Sequence, residues 1–264
     1  SSNFTTSAQP GPPRPSCAEL GAPAEGKHRF VAHRAGAVMG CREVTVVAKA
    51  PRLAKASGQR AWPVIRAWDR QHENLFSAWV EKLFDVRIDQ VVSVAALHEI
   101  TSDPKRNFLF DHLGLGEDAP PPTGLKLDPD CADLPYFLRA YFAFKLGLPF
   151  AFSSCTRGGF GNPPRCLSRK DNLTPMDDGP PDRVRRFQTF ARVRLRDTVH
   201  SGTGRTLASD DFTDYYPVPL ERRHLRPGTI YADPYGHILV VARVFPQTTQ
   251  GPGVLFAIDG QPTA

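Results

Sequence analysis

The chain has 264 residues, of which 41% are apolar and 23% charged, and a formal net charge of +6. This composition supplies one medium-sized folded domain with a core. No stretch approaches the roughly 20 consecutive apolar residues that span a bilayer, which excludes an integral membrane segment. The basic residues are dispersed and no nucleic-acid-binding motif accompanies them, so we expect no nucleic-acid partner.

The N-terminal residues 1–26 are rich in Pro, Ser, Thr, Ala and Gly. This composition is typical of the flexible linker that follows a removed signal peptide. We therefore expect a linker over 1–26 and a single domain over 27–264, which consists of an N-terminal helical extension (27–127) and a core (128–264) with an insertion at about 156–225. The expected location is secreted or in the cell envelope.

The region before residue 128 predicts structural elements. Glu43–Ala48 indicates a short strand, and Trp62–Phe84 carries apolar residues at helical spacing. Leu97–Leu113 predicts helical turns around Pro104, in which His98 and His112 are expected to cap or to lie at the surface. Gly114–Pro129 contains three consecutive prolines and predicts an extended segment.

Cys131 stands at the beginning of a predicted helix. Asp128 or Asp130 can cap this helix, and Gly147 ends it. Apolar residues recur on one helical face: Leu134, Phe137, Leu138, Tyr141, Phe142 and Leu146. The N–H groups and the positive dipole at a helix start favour a thiolate, which is the nucleophilic form of cysteine. A buried structural cysteine or half of a disulfide is the alternative interpretation.

The stretch between residues 168 and 225 indicates an insertion plus one strand. The strand is predicted over Phe187–Arg196. The run Asp210–Tyr216 combines carboxylates with aromatic residues that could line a cleft, but a solvated loop is the interpretation that we favour.

Strand and turn patterns fill the C-terminal part. Arg226–Tyr231 and His237–Val244 are predicted strand segments on either side of a turn, and Gly253–Asp259 follows as a second partner strand. A hairpin that is symmetric about Thr248 would place His237 directly opposite Asp259.

A carboxylate beside an imidazole orients the ring and stabilises its charged form, which in turn activates a nearby cysteine. His237 could instead be a histidine at a strand end, and Asp259 an ordinary Asp-Gly turn residue. The sequence thus offers Cys131, His237 and Asp259 as candidate catalytic residues.

Five cysteines divide into two disulfides and one reactive thiol. We expect Cys155 to pair with Cys166 across a Gly- and Pro-rich loop, Cys17 to pair with Cys41, and Cys131 to remain reduced. Disulfides indicate an oxidising compartment. No cysteines or histidines have the spacing of a zinc site, so no metal and no cofactor are expected.

Two segments carry a resemblance to a known family. Asp130-Cys131-Ala132-Asp133-Leu134, with Lys145-Leu146-Gly147-Leu148-Pro149, resembles the cysteine-helix segment of the NlpC/P60 cell-wall peptidases. Pro227-Gly228-Thr229-Ile230-Tyr231 and Gly236-His237-Ile238 are similar to the family's next two strands. The resemblance implies a papain-like α+β fold in which a nucleophile-bearing helix packs on an antiparallel sheet, with Cys131 as nucleophile and His237 as base. Asp259, with the residues after it, looks more like the aspartate segment of transglutaminase-like enzymes.

The leading hypothesis is a secreted cysteine hydrolase that cleaves amide bonds, with cell-wall peptides as the expected substrate. In this hypothesis Asp259 orients His237, and a backbone N–H near Cys131 stabilises the oxyanion. Two alternatives stay open. One is a transglutaminase-like acyl transferase, and the other is a non-catalytic envelope protein that uses the same fold for binding or assembly. A disulfide at Cys131, or a Cys131–His237 separation too large for proton transfer, would favour the non-catalytic alternative.

Overall fold

A computed structural model describes residues 7–8, 16–17, 24–47, 60–85, 87–90, 95–159, 161–176, 179–222 and 224–260. The chain separates into two compact units. The first consists of residues 1–8 and 16–55, and the second of residues 9–15 and 56–264. No helix in the described ranges is long and apolar enough to cross a membrane.

The first unit is built from antiparallel strands. The short strands β1 (Ser7–Ala8) and β2 (Ser16–Cys17) pair with each other, as do β3 (Gly26–Arg34) and β4 (Ala37–Val46). The predicted strand at 43–48 corresponds to the end of β4, and most of the predicted linker lies outside the described residues. Cys41 is an exposed free thiol, so the expected pairing of Cys17 with Cys41 is not formed.

Three helices of the second unit lie in the region where the sequence predicts helices. They are α1 (Arg70–Leu83), α2 (Leu97–Thr101) and α3 (Leu134–Leu146). α1 begins later than predicted because the Asp69 side chain accepts a hydrogen bond from the His72 N–H at 2.8 Å and caps the helix. Gly147 ends α3 in the left-handed conformation, with φ of 65°, as its position predicts.

The predicted strand over Phe187–Arg196 is wrong. This segment is helical and consists of α4 (Arg183–Thr189), a π-helical turn (Phe190–Leu195) and, further on, a 3-10 helix (Ser201–Arg205). The alternation of Arg with apolar residues at 192–196 resembles a strand. The buried positions Val184, Phe187, Ala191 and Leu195, however, follow a helical spacing and face the core.

Two antiparallel sheets complete the second unit. β5 (Ala151–Cys155) pairs with β6 (Cys166–Asp171), and the expected Cys155–Cys166 disulfide joins them. β7 (Ile230–Ala232), β8 (Ile238–Phe245) and β9 (Val254–Ile258) form a three-stranded sheet in the order β7-β8-β9. The mixture of helices and antiparallel sheets confirms the α+β class.

α3 lies at the centre of the second unit's core. Twelve of its thirteen residues are buried, so it is covered on all sides. Its Phe142 and Phe144 contact the aromatic rings of Trp68, Trp79, Phe76, Trp62 and Phe187. This packing fixes the position of the residues that precede α3, which include Cys131.

Candidate functional site

Cys131 lies in a turn that the Asp130 carboxylate organises. Asp130 Oδ1 accepts hydrogen bonds from the backbone N–H groups of Ala132 and Asp133, both at 2.9 Å. The Leu134 N–H donates to the Asp130 carbonyl at 2.9 Å, which closes one helical turn over residues 130–134. The N-cap of α3 is Asp133, which makes no side-chain cap hydrogen bond, so neither Asp128 nor Asp130 caps the helix as the sequence predicts. Asp130 instead organises the turn before it, and this turn holds Cys131.

His237 and Asp259 contact each other, as predicted. The distance from His237 Nδ1 to Asp259 Oδ2 is 3.4 Å. His237 follows the turn at Asp233–Gly236, in which the Asp233 N–H donates to the His237 carbonyl at 2.8 Å. Asp259 directly follows the last residue of β9. The contact with Nδ1 leaves Nε2 of the imidazole for a proton exchange with a neighbouring group.

The contact forms through a register that differs from the predicted one. Val240 pairs with Ile258, and extending this register places Asp259 opposite Leu239. The offset is two residues because the hairpin closes at the Thr248–Gly251 bridge and the pairing shifts between Val241 and Arg243. A shift of two residues keeps a side chain on the same face of a sheet, so His237 and Asp259 meet as diagonal neighbours.

Gly260 allows the backbone after β9 to lie directly against the turn that carries Cys131. A Cβ atom at position 260 would lie 2.5 Å from the Asp130 carbonyl oxygen and 3.0 Å from that of Pro129. Only glycine fits this close approach of two backbones. The Asp-Gly pair that the sequence offered as an ordinary turn therefore brings Asp259 next to Cys131.

The structure brings all three sequence-predicted residues together. One donor atom from each of Cys131, His237 and Asp259 lies within 4.8 Å of the other two. His237 is exposed, and Cys131 and Asp259 are partly buried, so the group is open to solvent on the histidine side. Cys131 is a free thiol. Neither condition that would favour the non-catalytic alternative is met.

The Cys131 thiol is not predisposed to ionise. Burial raises its pKa, and the nearby charges of Asp130 and Asp259 act in the same direction. The backbone N–H groups of Ile238 and Ala132 lower the pKa, but they do not offset burial. The neutral thiol differs from the thiolate that we expect from the position of Cys131 near a helix start. The difference arises because the charges of Asp130 and Asp259, which lie beside the sulfur, oppose the effect of the helix dipole.

Few backbone donors remain for an oxyanion. The N–H groups of Ala132 and Asp133 are both engaged by Asp130. Within the described residues the Cys131 N–H makes no hydrogen bond, and it belongs to the nucleophile's own residue. The Cys131 N–H and the Ile238 N–H near the sulfur are therefore the candidate donors for negative charge on a carbonyl oxygen that Sγ attacks.

The same three side chains could also hold a metal ion. Thiolate sulfur, imidazole nitrogen and carboxylate oxygen are all zinc ligands. The expectation of no metal comes from the spacing of cysteines and histidines along the chain, whereas these donors come from three distant segments. The structure thus provides a possible donor set that the spacing argument does not address.

A large cleft of about 990 Å³ lies beside α3. Cys131, His237 and Asp259 are not among its lining residues, whereas Pro135, Leu138 and Arg139 of α3 and all of β7 are. Asp214 and Tyr215 also line it and are half-buried, so the solvated-loop interpretation of Asp210–Tyr216 is wrong for these two. Tyr216 lines the cleft as well but is exposed. The sequence signal for the cleft was this combination of carboxylates and aromatic residues.

Comparisons with known proteins return nothing: no family model, no curated protein and no solved structure matches the chain. The resemblance to NlpC/P60 peptidases receives no support from them. Any function must therefore be inferred from the geometry of the site.

Proposed function

We propose that the protein is a thiol enzyme that transfers an acyl group from an amide. The observation that carries this proposal is the meeting of Cys131, His237 and Asp259 within 4.8 Å. In the proposed reaction Sγ attacks the amide carbonyl, His237 takes the thiol proton and delivers it to the departing amine, and an acyl-enzyme remains. Water then attacks the thioester, which releases the acid and restores the thiol.

The raised pKa of Cys131 favours one version of this mechanism. The resting thiol is neutral, so His237 must remove the proton as Sγ attacks, in the way a serine hydrolase works, rather than hold a preformed thiolate. Asp259 has two effects that oppose each other. It stabilises the histidinium that forms, and it raises the pKa of the thiol in the resting state.

A papain-like arrangement is the architecture that we propose for this site. The turn that carries Cys131 leads directly into α3, and β8 follows the histidine in an antiparallel sheet. The Cys155–Cys166 disulfide is compatible with an oxidising compartment, which supports a secreted or envelope protein. We retain NlpC/P60-like peptide hydrolysis as the leading activity and transglutaminase-like transfer as the alternative.

The first experiment is the rate of Cys131 alkylation by iodoacetamide against pH, with peptide mapping. Exposed Cys41 is a reference thiol in the same sample. We expect the alkylation rate of Cys131 in the native protein to depend on His237. His237→Ala should therefore slow the alkylation of Cys131, whereas His33→Ala, a change in the first unit, should not. Equal effects of both variants, or a Cys131 rate that never depends on His237, would contradict the proposal.

A second measurement distinguishes hydrolysis from transfer to an amine, and it tests whether the three residues bind a metal instead. Mass spectrometry after incubation with a peptide amide and a primary amine detects hydrolysis as free acid and transfer as the amine adduct. Both products should disappear in Cys131→Ala. If a chelator abolishes turnover and zinc restores it, the three residues act as metal ligands and the nucleophile assignment fails.

A further inference from the structure

The cleft beside α3 has an apolar and aromatic rim. Tyr216, Leu220 and Tyr231 are 78%, 90% and 56% exposed, and all three line the cleft. Val218 and Leu255, also exposed, lie in the same lining. Single exposed apolar residues are ordinary, but a group of them around one concave surface marks a binding site.

The carboxylates and guanidinium groups of the cleft are already engaged. Arg226 lies 3.7 Å from Glu73, and Asp171 accepts hydrogen bonds from the backbone N–H groups of Leu173 and Thr174. Arg139 pairs with Glu73 through both guanidinium nitrogens and stacks on Trp68, whose ring centre lies 3.5 Å away. Asp214 accepts hydrogen bonds from the Tyr136 hydroxyl and the Ser153 hydroxyl, both at 2.8 Å. Because these ions have partners, a charged ligand would gain little here, and the cleft suits an uncharged apolar one.

One wall of the cleft offers unpaired backbone groups. β7 is an edge strand, and its three residues all line the cleft. Between β7 and β8, hydrogen-bonded residue pairs alternate with pairs that are not hydrogen-bonded. The Val241 N–H donates to the Thr229 carbonyl and the Asp233 N–H to the His237 carbonyl, so these two pairs are hydrogen-bonded ones. By this alternation the N–H and carbonyl groups of Ile230 and Ala232 point away from β8, and no other described residue hydrogen-bonds to them.

Cys131 does not line the cleft, but two residues of α3 that do line it stand close to Cys131 along the chain. Pro135 and Leu138 line it, and they stand four and seven residues after Cys131, on the same face of the helical turn. On the other wall, Ala232 pairs with Ile238, whose N–H lies near the Cys131 sulfur. A ligand in the cleft would thus approach the nucleophile from one side.

We propose that the cleft binds an extended peptide segment with bulky apolar side chains, which adds a strand to the free edge of β7. The backbone of the peptide hydrogen-bonds to Ile230 and Ala232, and its side chains alternate into the apolar lining. The inference rests on the proposed function in one respect: it makes this peptide the substrate of Cys131. The substrate class is then apolar peptides rather than acidic ones.

The test measures binding in full-length Cys131→Ala, which cannot turn the peptide over. The probe is a fluorescent, end-blocked peptide of alternating Phe and Thr, and binding is followed by fluorescence anisotropy. Three ligands are compared with it: a peptide in which Glu replaces Phe, a peptide with N-methylated alternate amides, and dodecanoate as a lipid chain. We expect the Glu and N-methyl peptides to bind at least about tenfold more weakly.

The double variant Tyr216→Ala/Leu220→Ala should weaken binding of the Phe-Thr peptide by about tenfold. The matched control is Tyr235→Ala, which removes a 93% exposed tyrosine that does not line the cleft, and it should change nothing. Equal binding of the Phe and Glu peptides, no effect of N-methylation, or tighter binding of dodecanoate than of the peptide would overturn the inference. Peptide binding without Cys131-dependent turnover in the native protein would defeat the proposed function alone.

Discussion

At the scale of single residues, Asp259 affects both the histidine and the thiol of the candidate site. It contacts Nδ1 of His237, and its charge raises the pKa of Cys131. Removing the charge should therefore ease ionisation of the thiol while loosening the contact that orients His237. A merely structural aspartate would not affect these two properties in opposite directions.

We expect Asp259→Asn to increase the alkylation rate of Cys131 near pH 8 severalfold and to reduce amide turnover by about 10²-fold or more. The measurement is the alkylation rate against pH, with turnover of the same peptide amide in parallel. Asp233→Asn, in the turn before His237, provides a control that should leave the turnover unchanged. A parallel fall of both quantities would indicate that Asp259 only maintains the fold.

Protonation of Asp133 affects the stability of the fold. Burial raises its pKa to about 7 from an ordinary 3.8, and the charge of Asp130 contributes in the same direction. A carboxyl group with a raised native pKa binds more protons when folded than when unfolded, so stability falls as pH rises from about 4 to about 7. The loss from this one group is at most about 4 kcal/mol.

Asp133→Asn removes this titration. We expect the variant to be more stable than the native protein at pH 8 by about 1–2 kcal/mol, less than the full titration energy because the 3.8 Å ion pair with Arg196 is also lost. Urea unfolding at pH 5 and pH 8 measures the effect. The stability difference between native and variant protein should shrink at pH 5; a difference that is independent of pH would contradict the assignment.

At the scale of elements, the position of β9 relative to the turn before α3 determines whether the site forms. Gly260 sets this position through its contact with the Pro129 and Asp130 backbone. Gly260→Ala should separate Asp259 from Cys131 and reduce turnover by about tenfold or more, since displacements near 1 Å in a catalytic group have effects of this size. Turnover, with the unfolding midpoint recorded in parallel, is the measurement.

The control for Gly260→Ala is Gly251→Ala in the same hairpin, where an added Cβ would meet nothing within 4 Å. It should leave turnover unchanged. If the two variants behave alike, the close approach at Gly260 does not position the site.

Much of the secondary structure near the site follows from the sequence. The apolar spacing of α3 and the stop at Gly147 are local features, so the body and the end of the helix could be placed from them. Its start was placed too early, because Asp130 organises a turn before the helix and the N-cap is Asp133. The register of the β8–β9 hairpin could not, because it depends on a shift within the strand pairing and on the turn at Thr248–Gly251. The helical segment at 187–195 was missed because its core contacts outweigh a strand-like alternation.

At the scale of the whole second unit, a buried ionic group ties the segment before Cys131 to α3. Lys145 pairs with Glu117 and Asp118, and all three side chains are inaccessible to solvent. Burial would raise the pKa of Glu117, but the Lys145 ammonium holds it at about 2. Burial does raise the pKa of Asp118. Removing the Lys145 ammonium would leave the carboxyl groups of Glu117 and Asp118 buried without a positively charged partner.

We expect Lys145→Met to lower the free energy of unfolding by about 3–5 kcal/mol at pH 7, which is the cost of breaking a buried ion pair. Urea unfolding is the measurement. Arg87→Ala removes an exposed pair with Asp89 and should cost less than about 1 kcal/mol. Comparable losses in the two variants would mean that the buried group contributes no more than a surface pair.

The sequence by itself determined the helix that follows Cys131, the three C-terminal strands, the Cys155–Cys166 disulfide and the three residues of the candidate site, because these depend on local spacing and turn residues. The tertiary structure decided the rest. It placed Gly260 against the Asp130 backbone, brought two carboxylates close enough to raise the pKa of the thiol, and enclosed an apolar cleft between segments far apart in the chain. Burial and long-range contacts exist only once the chain has folded, and no local pattern encodes them.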